Sequence, residues 1–346
     1  MRMRRFATVA ISLAATTLII FGILPGPIQA SAPTTSAAQP LAALTAPASV
    51  KEIAKVVLPE TSVNAPGFFS YVNQPYTGSV IAWAGTDPAH RINVMTSTDG
   101  LTYGNKLTLG ESTINRPTVV QMSKAAGGAV ILAWRGMDPN HSLNILFNVY
   151  GSRQKLTLAD NSFTSPAIAI FNGNALLAWT GTDTNHSLNV RPIYLAPLRA
   201  GPKTILSQFS SDAWPNLTNR GSMIVLSWST RTTHLNLADS SDGKTFTSSL
   251  GGGLLQLSNF GTDYMNFQTE GGPEDWIAWT GTDTIHHLNV QWTTHYPQWP
   301  DAASTKTVLP ETALGGPMLG FGSGMLIVWT GTDTLHHLNI ARLTGF

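Results

Sequence analysis

Eight of the nine histidines and five aspartates in this sequence sit in one recurring phrase, Trp-x-Gly-x-Asp-x-x-His-x-Leu/Ile-Asn. It opens at Trp83, Trp134, Trp179, Trp279 and Trp329, and a shortened copy opens at Trp228. The full copies pair an aspartate (Asp87, Asp138, Asp183, Asp283, Asp333) with a histidine three positions later (His90, His141, His186, His286, His336). A carboxylate beside an imidazole can ligate a metal, move a proton, or hydrogen-bond a hydroxylated ligand. Metal ligation requires several ligands around one ion, whereas these pairs recur about every 50 residues, the spacing of separate structural units. The neighbours His286-His287 and His336-His337 would point to opposite faces of an extended chain. No metal and no other cofactor is therefore expected. A purely architectural use competes with ligand contact. Glycine permits an unusual backbone angle, and Thr and Asp side chains bond turn backbone. Asn93, Asn144, Asn189, Asn236, Asn289 and Asn339 suit the same purpose.

The shortened copy separates these roles. It reads Trp228-Ser229-Thr230-Arg231-Thr232-Thr233-His234-Leu235-Asn236 and lacks Gly-x-Asp. Trp, Leu and Asn are thus framework, and the Gly-Thr-Asp turn is separable from it.

Each repeat supplies four strand candidates: a segment opening near a proline (Pro117 to Val120), the Trp strand (Ala129 to Trp134), the Leu-Asn strand (Leu143 to Phe147), and a strand seen at Lys106 and Lys155. Gly, Asn, Asp and Pro punctuate the joins. Four strands repeated about every 50 residues read as the blades of a β-propeller. Consecutive apolar residues in the Trp strand fit a sheet covered on both faces. Val56-Val57-Leu58-Pro59-Glu60-Thr61 nearly duplicates Thr307-Val308-Leu309-Pro310-Glu311-Thr312. The chain thus opens on a fourth strand and ends after a third one. The expected fold is all-β, a six-bladed β-propeller of four-stranded blades, its ring closed by the N-terminal strand completing the last blade and leaving no open edge.

Ser97-Thr98-Asp99-Gly100-Leu101-Thr102-Tyr103 and Ser240-Ser241-Asp242-Gly243-Lys244-Thr245-Phe246 resemble the Asp-box of the sialidase superfamily, a structural hairpin between third and fourth strands. The resemblance covers the repeat region in architecture and two short motifs in residues. It implies that loops joining strands two and three share a face with the connections between blades. That face would carry the aspartates and histidines above with Glu60, Glu111, Asp160, Gln208 and Glu311. Such a ring suits sugar hydroxyls, and several equivalent weak sites gain from multivalency. The candidate ligand-binding residues are Asp87, Asp138, Asp183, Asp283, Asp333, His90, His141, His186, His286, His336, Glu60, Glu111 and Glu311; no catalytic residue is nominated. The resemblance also implies a test for enzymes: sialidases use an arginine triad, a Tyr–Glu nucleophile and an acid/base Asp. Arg91, Arg116, Arg135 and Arg231 are available for the loop face, and Asn115-Arg116-Pro117 bears a slight likeness to the family's Arg-Ile-Pro motif. Tyr264 and Glu270 are the one pair to nominate, and after Arg231 only Arg342 remains.

Of 346 residues only 11% are charged and 42% hydrophobic, with no cysteine. Arg2, Arg4 and Arg5 precede an apolar run from Phe6 to Leu24 and small residues near Ala30, the pattern of a secretory signal peptide. Residues 1–30 are read as that signal, 31–54 as an Ala/Ser/Thr/Pro-rich tether and 55–346 as the propeller. Because a spanning helix needs about 20 apolar residues, an uncleaved membrane anchor is the alternative. Cleavage leaves 17 basic against 19 acidic residues, about −2. That excludes the basic footprint nucleic acid requires. The expectation is a secreted or surface-tethered protein binding carbohydrate or another extracellular ligand. The alternatives are a sialidase-like glycoside hydrolase and a protein-binding scaffold.

Overall fold

The computed structural model describes residues 50–344 apart from 74–75, 231, 233, 250–253, 259, 270–271, 298–304 and 323. The expected signal segment (1–30) and the tether up to residue 49 lie outside the described residues, as do Arg231 and Glu270.

Six antiparallel sheets, one per repeat, form a six-bladed β-propeller. Blade one comprises Gly67–Asn73, Tyr76–Ala84, Arg91–Ser97 and Tyr103–Ser112. Blade two comprises Thr118–Gln121, Val130–Arg135, Ser142–Phe147 and Gln154–Asn161. In blade three Ala167–Phe171, Asn174–Thr180 and Ser187–Leu195 are followed by the short Leu198–Ala200 and then Thr204–Ser210. Blade four has Asn216–Arg220, Met223–Ser229 and His234–Ser240, with its outer strand split into Thr247–Ser248 and Leu254–Leu257. Blade five comprises Asp263–Thr269, Gly272–Thr280, His287–Thr293 and Thr305–Thr312. Blade six takes Met318–Phe321, Met325–Thr330 and His337–Thr344 from the C-terminal part.

The outer strand of blade six is Lys51–Thr61, which pairs antiparallel with His337–Thr344, Lys51 opposite Thr344 and Val57 opposite Asn339. The strand reaches back into the stretch expected to be tether (31–54), because residues 51–54 find backbone partners on that sheet. Glu60 and Glu311 likewise belong to the ends of outer strands rather than to loops.

Each tryptophan of the phrase is buried between its own blade and the one before it. Trp83 packs with Met318, Leu326 and Ile340 of blade six, and Trp134 with Val80 and Ile92 of blade one. Trp179 meets Ile131 and Ile145, Trp228 meets Leu176 and Val190, Trp279 meets Leu235 and Leu237, and Trp329 meets Trp276 and Leu288. Burial of so large an apolar surface makes this repeated contact the main cement between blades. The tryptophan strand is covered on both faces, which is why its sequence does not alternate.

Candidate functional site

The Gly-x-Asp-x-x-His segment forms the turn between second and third strands, and its sequence follows from its hydrogen bonds. In blade three, Gly181 N donates to Ser187 O at 2.8 Å and His186 N to Asp183 O at 2.9 Å. The Asp183 carboxylate accepts from Asn185 N at 3.1 Å, Ser187 N at 3.2 Å and Ser187 Oγ at 3.0 Å. Asn189 Nδ2 donates to Ser187 O at 2.8 Å. Asp87, Asp138, Asp283 and Asp333 repeat the arrangement. Burial raises the Asp183 pKa, but the hydrogen bonds from Ser187 and Asn185 outweigh it and hold the carboxyl below its ordinary range. A Cβ on Gly181 would lie 2.5 Å from Asp183 Oδ2 and 2.8 Å from Asn189 Nδ2. Glycine is required because acid and amide converge over its backbone.

The histidines occupy the left-handed backbone position of the turn, with φ of 48°, 55°, 50°, 61° and 56° at His90, His141, His186, His286 and His336. Histidine is among the residues that tolerate this region. Their carbonyls accept from the residue that follows the outer strand of the same blade, as Thr113 N to His90 O at 3.1 Å and Ser62 N to His336 O at 3.0 Å. Their rings differ. His90 Nδ1 lies 3.2 Å from Gly85 O, whereas the His186 ring bonds Asp212 and stacks on Phe163 at 4.0 Å. His287 and His337, the second members of the pairs, lie 3.0 and 2.7 Å from Asp283 and Asp333. The rings of His90, His286, His287 and His337 thus bond within their own turn, while that of His186 reaches Asp212.

The acids Glu60, Glu111 and Glu311 are ties between blades. Glu60 meets Lys106, Glu111 meets Lys155 at 2.7 Å, and Glu311 meets Lys55 at 2.5 Å. Those lysines, with Lys203 and Lys306, stand 5.4 to 5.6 Å over the tryptophan of their own blade. Asp160 meets Arg191 and, at 3.5 Å, Lys203. Between blades three and four Phe209, rather than Gln208, covers the tryptophan, its ring 4.7 Å from Trp228. The lysine of the fourth strand was visible as a recurrence at Lys106 and Lys155. Its role was not, since a cation over a ring and an acid from the next blade meet only in three dimensions.

Two cavities bear on ligand binding. One, of about 340 Å³, lies between blades two and three on the turn face, lined by Asp160, Asn161, Thr182, Asp183, Ser187, Asn189, Lys203 and Ile205. The other, of about 300 Å³, runs along the ring axis and is lined by the first strands of all six blades. Toward the turn face the axis is packed shut. Arg116 is fully buried, its guanidinium 5.3 Å over Trp214, and Trp214 lies against Gly261 and Gly316 so closely that a Cβ on Gly261 would meet the ring. Asp263, also buried, accepts from Asn216 Nδ2 and from Leu319 N at 2.5 Å. Burial pushes its pKa up to about 7, against the pull of the Leu319 amide and of Arg116.

Among the described residues, those nominated for sialidase chemistry (Arg91, Arg116, Arg135 and Tyr264) do not converge. Arg91 holds Asp87 at 3.2 Å, Arg135 Nε donates to Ser162 O at 2.8 Å, and Arg116 is the axial plug. The Tyr264 hydroxyl donates to buried Asp275, which also binds Arg220 at 3.1 Å. The Asp-boxes are structural: Leu101 N and Thr102 N donate to Asp99 at 2.9 and 2.7 Å, and Lys244 N and Thr245 N donate to Asp242, both at 2.7 Å.

No family model matches this chain, and no curated protein does. Among solved structures it is similar to a protein of unknown function from Dyadobacter fermentans, at a TM-score of 0.59 and 14% identity over 86% of this chain and 100% of that one. It is also similar to a triple mutant of AofleA from Arthrobotrys oligospora, at 0.59 and 12% over 86% and 87% of the two chains. With the Trypanosoma rangeli sialidase bound to sialic acid it shares a TM-score of 0.53 and 11% identity, covering 85% of this chain and 58% of that one. At identities this low the likeness shows the fold alone, a β-propeller.

Proposed function

We propose that this chain is a secreted, non-catalytic propeller that binds carbohydrate in the grooves between blades on its turn face. The observation that carries the reading is the cavity between blades two and three. It joins a repeated-turn aspartate, Asp183, to Asp160 of the preceding blade and to Asn161, Asn189 and Lys203. Carboxylate, amide, hydroxyl and ammonium groups gathered over one small concavity match the donor and acceptor pattern of a sugar. Its parts recur around the ring, which supports weak multivalent binding. The axial plug and the dispersed arginines weigh against a sialidase-type centre on this face. The register of the first strand supports outward display of the turns. Thr61 lies beside the blade-six turn, opposite His337, while Lys51 pairs with Thr344 at the far end. The first described residues therefore lie at the end of that sheet away from the turn.

A glycan-array screen followed by calorimetry tests the reading. Binding at more than one site per chain is the expected result. A single axial site with turnover of a sialoside would replace it with a glycosidase, and an array without any hit would favour a protein-binding scaffold.

A further inference from the structure

A cross-strand row in blades one, two, three, five and six joins the motif tryptophan, the motif asparagine and one residue of the outer strand. In blades one and two that residue is threonine, and its hydroxyl donates to the asparagine: Thr108 to Asn93 Oδ1 at 2.6 Å and Thr157 to Asn144 Oδ1 at 2.7 Å. In blades three, five and six the row ends on Ile205 opposite Asn189, Val308 opposite Asn289 and Val57 opposite Asn339. These three are 58%, 55% and 54% exposed, and none offers the asparagine a hydroxyl.

Strand propensity does not account for the difference, because threonine is as suited to a strand as valine or isoleucine. Exposure this large also means that the fold gains little from the apolar side chain. The effect falls on the groove. Ile205 forms part of the floor of the 340 Å³ cavity beside Asn189 and Asp183, within the size range of small-ligand sites, about 300–1,000 Å³. There an apolar floor lies beside Asn189, a buried side chain that lines the cavity and whose Nδ2 is committed to Ser187 O. Lys203 and Lys55 are already neutralised by Asp160 and Glu311, so no net charge waits for an ionic ligand.

We propose that the grooves floored by Ile205, Val308 and Val57 are the occupied sites, each taking a neutral pyranose whose C–H face lies on the apolar residue while its hydroxyls meet the asparagine and the rim. The grooves of Thr108 and Thr157 stay empty at concentrations that fill the other three, because they lack the apolar floor and the threonine hydroxyl already occupies one of the two lone pairs of the asparagine oxygen. The inference rests on the carbohydrate reading above and narrows it to three sites out of the repeated set.

The test uses the methyl pyranosides of glucose, galactose, mannose and fucose with the full protein, read by calorimetry and by methyl NMR of Ile205. Three sites per chain and a shifted Ile205 methyl signal are expected. Ile205→Thr should remove one site of the three. The combined Val57→Thr, Ile205→Thr and Val308→Thr variant should bind nothing while its Tm stays that of the parent, since the exchanges are exposed and close in shape. Thr108→Val with Thr157→Val should add sites. Binding that survives the triple exchange, or that occupies all the repeated grooves of the parent, overturns this inference and leaves the carbohydrate reading standing. Binding of none of the glycosides, together with a blank array, overturns both.

Discussion

Gly181, Asp183 and His186 show how little of a repeated turn is free to serve a ligand. The aspartate spends its oxygens on its own backbone, the histidine supplies a left-handed φ, and the glycine makes room for both. Gly181→Ala is expected to cost about 1–3 kcal/mol through the clash with Asp183 and Asn189, measured by denaturant unfolding. It should not abolish folding, because blade four folds around Trp228 without this turn. Asp263 gives a different kind of prediction. Its pKa stands at about 7 in the fold against an ordinary 3.8. A raised acid contributes stability that is complete below about pH 4 and lost as the pH rises to about 7. Wild type should therefore lose stability relative to Asp263→Asn across that interval, by on the order of 4 kcal/mol. Parallel pH profiles for the two proteins would show that the buried carboxyl is not strained. The types and spacing of the turn residues were legible in the sequence. The burial of Asp263 within the electrostatic reach of Arg116 was not, because the two lie in different blades and share no motif.

Blades one, two, three and six are each held to the preceding blade by a tryptophan beneath a lysine that meets an acid from the adjoining outer strand. The tryptophan dominates. Trp179→Ala should cost about 3–5 kcal/mol as a truncated core aromatic, whereas Glu111→Gln, an exposed ion-pair change, should stay within about 1 kcal/mol. Lys155→Ala should fall between them, since it loses the ring contact to Trp134 as well as the ion pair. Urea titrations of the three variants check the order, and added salt should narrow only the Glu111 effect. Periodicity revealed the strands and the tryptophans. It assigned Glu60, Glu111 and Glu311 to a ligand face, and the structure finds them engaged with Lys106, Lys155 and Lys55. Sequence spacing reports which residues recur, but a contact between consecutive blades depends on the rotation from one blade to the next.

In the molecule as a whole, blade six is built from both ends of the described chain, Lys51–Thr61 lying on His337–Thr344. Removing residues 50–61 should bare the edge of that sheet and make the protein self-associate more than its parent. Size-exclusion chromatography reads this, and a synthetic peptide of residues 50–61 added in trans should reverse it. A truncated protein that stays monomeric and keeps its Tm would show that the strand is dispensable.

Six tryptophan strands, four strand candidates per repeat, and the duplicated Val-Leu-Pro-Glu-Thr segments were enough to determine an all-β propeller of six blades, because each blade is a local unit whose pattern is written within about 50 residues. Only the tertiary structure decided that the axis is plugged by Arg116, Trp214 and Asp263, that the recurring acids are ties, and that Ile205, Val308 and Val57 stand exposed opposite the motif asparagines. These depend on which surfaces of separate blades come face to face. That is set by packing across the ring and leaves no period in the chain.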